Sequence, residues 1–218
     1  MWDAGLQEQF ARLAISALPI LFAITVHEAA HGFAALCLGD STAARAGRIT
    51  LNPLAHIDAF GTVALPLLLF FLTGGKFLFG YAKPVPVNFQ ALRRPKQDIL
   101  WVAAAGPLVN FLMAALWFFL WSALPNPPES GVQDALLHMC AAGVQINLVL
   151  MALNLFPLLP LDGGRILFSL LPARQAFSYA RTEPYGFMIL IVLLWSGVLE
   201  MILTPFIDGC FALFQFLF

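Results

Sequence analysis

The chain alternates long apolar runs with short polar connections. A helix needs about 20 mostly apolar residues to cross the roughly 30 Å hydrocarbon core of a bilayer. Four stretches meet that length: residues 10–38, 99–124, 135–161, and a last one from 186 to 218 that Glu200, Pro205 and Asp208 interrupt. A fifth, residues 59–75, falls short of it, contains Pro66 and ends on Gly74 and Gly75, so it reads as a short span or a re-entrant segment. The pattern predicts an all-α integral membrane protein with about four full transmembrane helices plus that shorter segment. The largest polar connection, residues 81–98, is too small for a domain. Residues 1–218 therefore read as a single membrane-embedded domain with no separate soluble domain.

Composition narrows this further. The 218 residues are 61% hydrophobic and 11% charged, against about 45–50% and about 25% in soluble domains. So few charges cannot clothe a soluble globule, and they equally exclude a disordered chain or a coiled coil. The 11 basic and 12 acidic residues nearly cancel, which excludes a nucleic-acid partner. Cys37, Cys140 and Cys210 contain no CxxC pair, which excludes a disulfide scaffold and a cysteine zinc cluster. The head MWDAGLQEQF carries Asp3 and Glu8 and no early Lys or Arg, so it does not read as a cleavable signal. Basic residues concentrate in three connections: Arg45 and Arg48; Lys83, Arg93, Arg94 and Lys96; and Arg165, Arg174 and Arg181. The 125–134 connection holds Glu129 and Asp134 and no basic residue. If residues 59–75 re-enter on one side, all three basic connections are cytoplasmic and the acidic one is outside. If they cross, Arg45 and Arg48 end up outside. The re-entrant hairpin is the preferred arrangement, in a multi-pass protein of the cell membrane.

The first apolar run contains His27-Glu28-Ala29-Ala30-His31. Positions i and i+4 of an α-helix lie on one face, so both imidazoles reach a single ion. Glu28, about 100° around from His27, is placed to hold a water. This is the HExxH pattern, in which two histidines bind zinc and the glutamate serves as general base. An acid and two histidines with no basic partner at lipid depth cost several kcal/mol unless a cation or water compensates. Catalytic zinc takes three protein ligands and leaves a position open. The candidates for the third ligand are Asp58, Asp162, Glu200, Asp208, His56 and His138. Asp162 stands out for its setting, NLFPLLPLDGG. Pro157 and Pro160 should break the third long helix, and Gly163 and Gly164 allow a tight turn or a close approach. Irregular backbone at membrane depth belongs inside protein or beside a watery cavity. In the re-entrant topology the HExxH and Asp162 both lie toward the cytoplasmic face.

Three motifs, HEAAH (27–31), AGPLVN (105–110) and NLFPLLPLDGG (154–164), resemble those of the site-2 protease family of intramembrane zinc metalloproteases. LNPLAHIDAFGT (51–62) and GYAKPVPVN (80–88) are similar to its short bacterial and archaeal branch, with Ala59 where proline is common. The resemblance implies one zinc per chain, bound by His27, His31 and Asp162, with Glu28 catalytic and Asn154 positioning the substrate carbonyl. It implies an endopeptidase acting on transmembrane or membrane-anchored protein substrates in the lipid bilayer, its active site opening toward the cytoplasm. A catalytically inactive relative acting as a membrane scaffold is the alternative, and the intact Glu28 opposes it. His56 and Asp58 are expected at the cleft mouth or in loop hydrogen bonding. Residues 48–51 and 83–87 have the pattern of short β-strands at the cytoplasmic face, either of which would receive an unwound substrate.

Overall fold

The computed structural model describes residues 4–64, 68, 71, 83–125 and 127–218. The chain forms α1 (Ala4–Cys37), the short α2 (Thr42–Arg45), α3 (Pro95–Ser122) and α4 (Gly131–Asn154). α5 (Asp162–Leu170), α6 (Ala173–Ala180), α7 (Glu183–Trp195) and α8 (Val198–Leu217) follow. Ala11–Cys37 of α1, together with α3, α4 and α8, are each long and apolar enough to cross a bilayer, whereas α7 is apolar but shorter. The architecture is all-helical among the described residues and is that of a multi-pass membrane protein.

Local chemistry sets the helix ends. Pro95 opens α3, where its missing N–H costs nothing. Asp98 Oδ2 accepts the Arg94 N–H at 2.7 Å in the same first turn. Ser130 caps α4 by accepting from the Gln133 N–H.

The third apolar stretch does not remain helical to residue 161. α4 stops at Asn154, and residues 155–161 form an irregular connector before α5. Pro157 and Pro160 offer no N–H to continue the ladder, so hydropathy alone overshoots the helix end. The last stretch is likewise two helices, separated at Gly197, whose φ of 75° lies in the left-handed region.

α1, α3 and α4 pack against one another in all three pairings, α5 lies on α3, and α8 lies on α4. Ala114 and Phe118 of α3, Val144, Leu148 and Met151 of α4 and Phe214 of α8 form one core cluster. Ala35, Leu92, Ile99 and Val102 form another, where the α1 C-terminus meets the α3 N-terminus. The Arg93 N–H donates to the Leu38 carbonyl at 3.0 Å, so the 83–94 connection sits at the same end of the bundle as the α1 C-terminus.

Among the described residues there is no β-strand. Residues 48–51 are a bend and residues 83–88 an irregular extended segment. The two segments meet through a side chain instead of a backbone ladder: Arg48 Nη2 donates to the Lys83 carbonyl at 2.9 Å and lies 3.4 Å from that of Pro84. Pro84 and Pro86 have no N–H to give to a ladder. The re-entrant expectation for residues 59–75 lies mostly outside the described residues; Ala59–Ala64 form a wide π-helical turn.

Candidate metal centre

Each side chain of the centre arrives from a different constraint. His27 and His31 stand one turn apart on α1, about 15 and 9 Å from its C-terminal end at 1.5 Å per residue. Ala23, His27, His31 and Ala35 recur every fourth position, forming one face of α1 that turns into the bundle. α3 answers with Val102, Gly106, Asn110 and Ala114, again four apart. A Cβ on Gly106 would fall 2.4 Å from His31 Nε2 and 2.6 Å from His27 Cε1. Only glycine lets the α3 backbone lie against both rings.

Asp162 is the first residue of α5, and Leu161 occupies the N-cap position, so the carboxylate does not serve as the cap. Cβ atoms on Gly163 and Gly164 would fall 2.2 Å from the Leu155 carbonyl oxygen and 2.5 Å from the Leu159 nitrogen. The first turn of α5 is thus folded down onto the connector. That close approach returns Asp162 to the histidines.

The three donor atoms converge. His27 Nε2 and His31 Nε2 are 3.0 Å apart, and Asp162 Oδ2 lies 3.3 Å from the first and 3.2 Å from the second. The opposite ring nitrogens face acceptors: His27 Nδ1 is 2.5 Å from Asn110 Oδ1, and His31 Nδ1 is 2.7 Å from the Val102 carbonyl. A carbonyl can only accept, so each Nδ1 carries a ring proton, and in the neutral ring Nε2 presents a lone pair. Asp162 Oδ2 is buried with no hydrogen-bond partner. Two lone pairs and an unpartnered carboxylate oxygen facing one another repel unless a cation lies between them. Tetrahedral zinc with bonds of about 2.0–2.1 Å has ligand–ligand edges of about 3.3 Å, close to the three separations. The donor set fits zinc.

Glu28 lines the same cavity, and its Oε2 accepts the Val85 N–H at 2.7 Å. That bond ties the 83–88 segment to α1 and leaves Oε1 as the oxygen with capacity for a proton. The cavity has a volume of about 600 Å³, its walls including Val85, Val87, Phe89, Asn154, Leu161 and Arg165. Asn154 closes α4 and donates its amide to the Leu150 carbonyl at 3.0 Å, keeping a second N–H. Arg165 is held 3.3 Å from Glu183 and 5.0 Å over the Phe89 ring.

The structure brings His27, Glu28, His31, Asp162 and Asn154 to one cavity. His56 and Asp58 are not among the residues lining it. His56 is buried, 3.1 Å from the Thr50 carbonyl, and Asp58 accepts the N–H groups of Phe60 and Gly61. Glu200 and Asp208 lie on α8, and His138 pairs with Asp134 at 3.6 Å on α4. The sequence places Gly106 and Asn110 in the AGPLVN motif but does not show Asn110 as the partner of His27 or Gly106 as the space for the rings. The fourfold spacing from Val102 to Asn110 was the available signal.

The sequence pattern of Peptidase family M50 matches residues 15–197, which include every residue of this centre. The chain belongs to Peptidase family M50, the site-2 protease family. The M50 chain is 34% identical over 195 residues to "Putative zinc metalloprotease YwhC" of Bacillus subtilis, covering 88% of this chain and 85% of that protein. It is 28% identical over 180 residues to "Putative zinc metalloprotease Rip2" of Mycolicibacterium smegmatis, covering 83% of this chain and 66% of that protein. The Mycobacterium tuberculosis H37Rv protein of the same name is 29% identical over the same coverage. No solved structure matches this M50 chain.

Proposed function

We propose that this protein is an intramembrane zinc endopeptidase that hydrolyses peptide bonds within or next to transmembrane segments of membrane-protein substrates. The observation that carries the reading is the convergence of two imidazole lone pairs and an orphaned carboxylate oxygen beside Glu28, inside helices long enough to span a bilayer. His27, His31 and Asp162 would hold one zinc, which would supply activation of water and polarisation of a peptide carbonyl. Glu28 takes the proton from the attacking water and returns it to the leaving amine. The Val85 N–H holds Oε2 throughout, so the carboxylate keeps its orientation while its other oxygen exchanges the proton. Asn154, with its spare N–H, positions the substrate carbonyl.

A substrate helix hides its peptide bonds in its own hydrogen bonds and must unwind to be cut. The extended 83–88 wall and the apolar side chains of Val87, Phe89 and Leu161 offer a surface for an unwound segment. The basic connections gather at the end of the bundle nearest the centre, which supports a cavity opening toward the cytoplasm of a cell membrane. Purified in detergent, the protein should carry one zinc per chain and cleave a synthetic transmembrane peptide. Glu28→Gln should retain zinc and lose cleavage by about 10²–10⁴-fold. Zinc binding without cleavage by the unaltered protein, across transmembrane peptides of varied sequence, would favour a scaffold instead.

A further inference from the structure

Asn110 and Asn147 are both completely buried between α1, α3 and α4. Their orientation follows from groups whose chemistry admits no choice. The Gly143 carbonyl can only accept, so the atom of Asn147 that lies 2.8 Å from it is its NH₂ nitrogen. The Asn147 oxygen therefore turns toward Asn110, and at 2.8 Å it accepts from the Asn110 NH₂ group. The Ala23 carbonyl, 3.4 Å from that same nitrogen, requires the same orientation. The Asn110 oxygen is left for His27 Nδ1, which must carry the ring proton. Reversing either amide sets oxygen against oxygen at Gly143 or N–H against N–H at His27.

We propose that Asn110 and Asn147 are a positioning relay, anchored at the Gly143 carbonyl, that selects the His27 tautomer and thereby sets how tightly α1 holds zinc. His31 achieves the same end in one step through the Val102 carbonyl. His27 meets α3 through the Asn110 side chain instead of a backbone carbonyl, and two amides carry the instruction from α4. Asn147 reaches His27 through the Asn110 amide. The inference rests on the zinc reading of the centre and is independent of whether the protein cleaves peptides.

The test is the zinc dissociation constant of the full-length protein in detergent, measured by competition with a chelator. Asn110→Ala should weaken zinc by about 10–100-fold, the usual cost of removing a partner of a ligating histidine. Asn147→Leu and Asn147→Asp are both close in volume to the original but differ in hydrogen bonding. A neutral aspartic acid keeps a donor for Gly143 and an acceptor for Asn110, so Asn147→Asp should remain within about threefold of the unaltered protein. Asn147→Leu should lose about tenfold, and combining it with Asn110→Ala should weaken zinc no further than Asn110→Ala alone. Equal affinities for the Leu and Asp variants would overturn the relay, because packing alone would not separate them. So would an Asn147→Leu loss that persists in full on the Asn110→Ala background. Should Asn147→Leu fail to fold, Asn147→Ala against Asn147→Asp carries the same contrast. Failure of the unaltered protein to bind zinc would instead remove the metal centre itself.

Discussion

The inner face shared by α1, α3 and α4 and the outer pair α7–α8 are both apolar by composition, yet they are built on opposite terms. In α3, 44% of the apolar window is buried inside the protein, against 11% in α8. The inner face holds Thr25, His27, Asn110 and Asn147, all buried. His27, Asn110 and Asn147 are joined in one hydrogen-bonded line. The outer pair presents Trp195, Met201 and Phe216, exposed by 92, 68 and 86%. With lipid as solvent, an exposed Phe needs no explanation, whereas an interior imidazole or amide must be matched atom for atom. The polar residues of the inner face therefore carry the specific information, and the large apolar residues of the outer pair mainly supply a lipid-compatible surface.

The sharpest break of that contrast is Gly106→Ala. Its methyl group would lie 2.4 Å from His31 Nε2, so zinc binding and cleavage should both disappear while the apolar surface is untouched. Metal analysis of the purified variant checks it; full zinc content would show that the rings do not rest against α3. Gly186→Ala comes next and probes a place where the outer pair bears on the connector that holds Asp162. A Cβ there would fall 1.6 Å from the Leu159 carbonyl oxygen, so α7 must shift away from the connector that holds Asp162. A displacement of about 1 Å can cost about 100-fold in rate; the variant should lose about 10–100-fold in cleavage of the synthetic peptide, and unchanged kinetics would separate α7 from the centre.

How much of this was readable in the sequence follows the same division. His27, Glu28, His31 and Asp162 could be named because motif chemistry and the cost of charge in lipid point to them independently of the fold. The four spans could be read from length and hydropathy. Their ends needed more than hydropathy: residues 155–161 are as apolar as the helix before them, and it is Pro157 and Pro160 that signal the break the structure shows after Asn154. The break at Gly197 is likewise a backbone matter, invisible to a hydropathy average. Asn147 carries no signal in the sequence, because its link to Asn110 spans 37 positions and leaves no local trace.

A smaller effect is expected where the 83–88 segment is tied down. Asp40 is fully buried in the turn after α1. Burial works against its charge, but the Thr42 hydroxyl and N–H and the Asn88 N–H outweigh that and hold its carboxyl below the ordinary value of 3.8. A lowered folded value means the tie stabilises the fold above the ordinary carboxylate range and is lost as pH falls through the lowered value. Hydrogen exchange at Asn88 should therefore speed up in acid, beyond the intrinsic trend, and Asp40→Asn should remove that pH dependence. Trp195→Ala marks the lower end of the scale. With no buried contact to lose, it should alter stability by less than about 0.5 kcal/mol and leave zinc binding unchanged; a large loss would mean that the outer face is packed against something.

The most direct test of the metal centre is zinc X-ray absorption on the purified protein, compared with Asp162→Ala. The structure predicts a four-coordinate shell of nitrogen and oxygen at about 2.0–2.1 Å, with two imidazoles and no sulfur. Asp162→Ala should lose zinc or change that shell. A sulfur ligand, or a shell and zinc content identical in the two proteins, would contradict the assignment of His27, His31 and Asp162 as the metal centre.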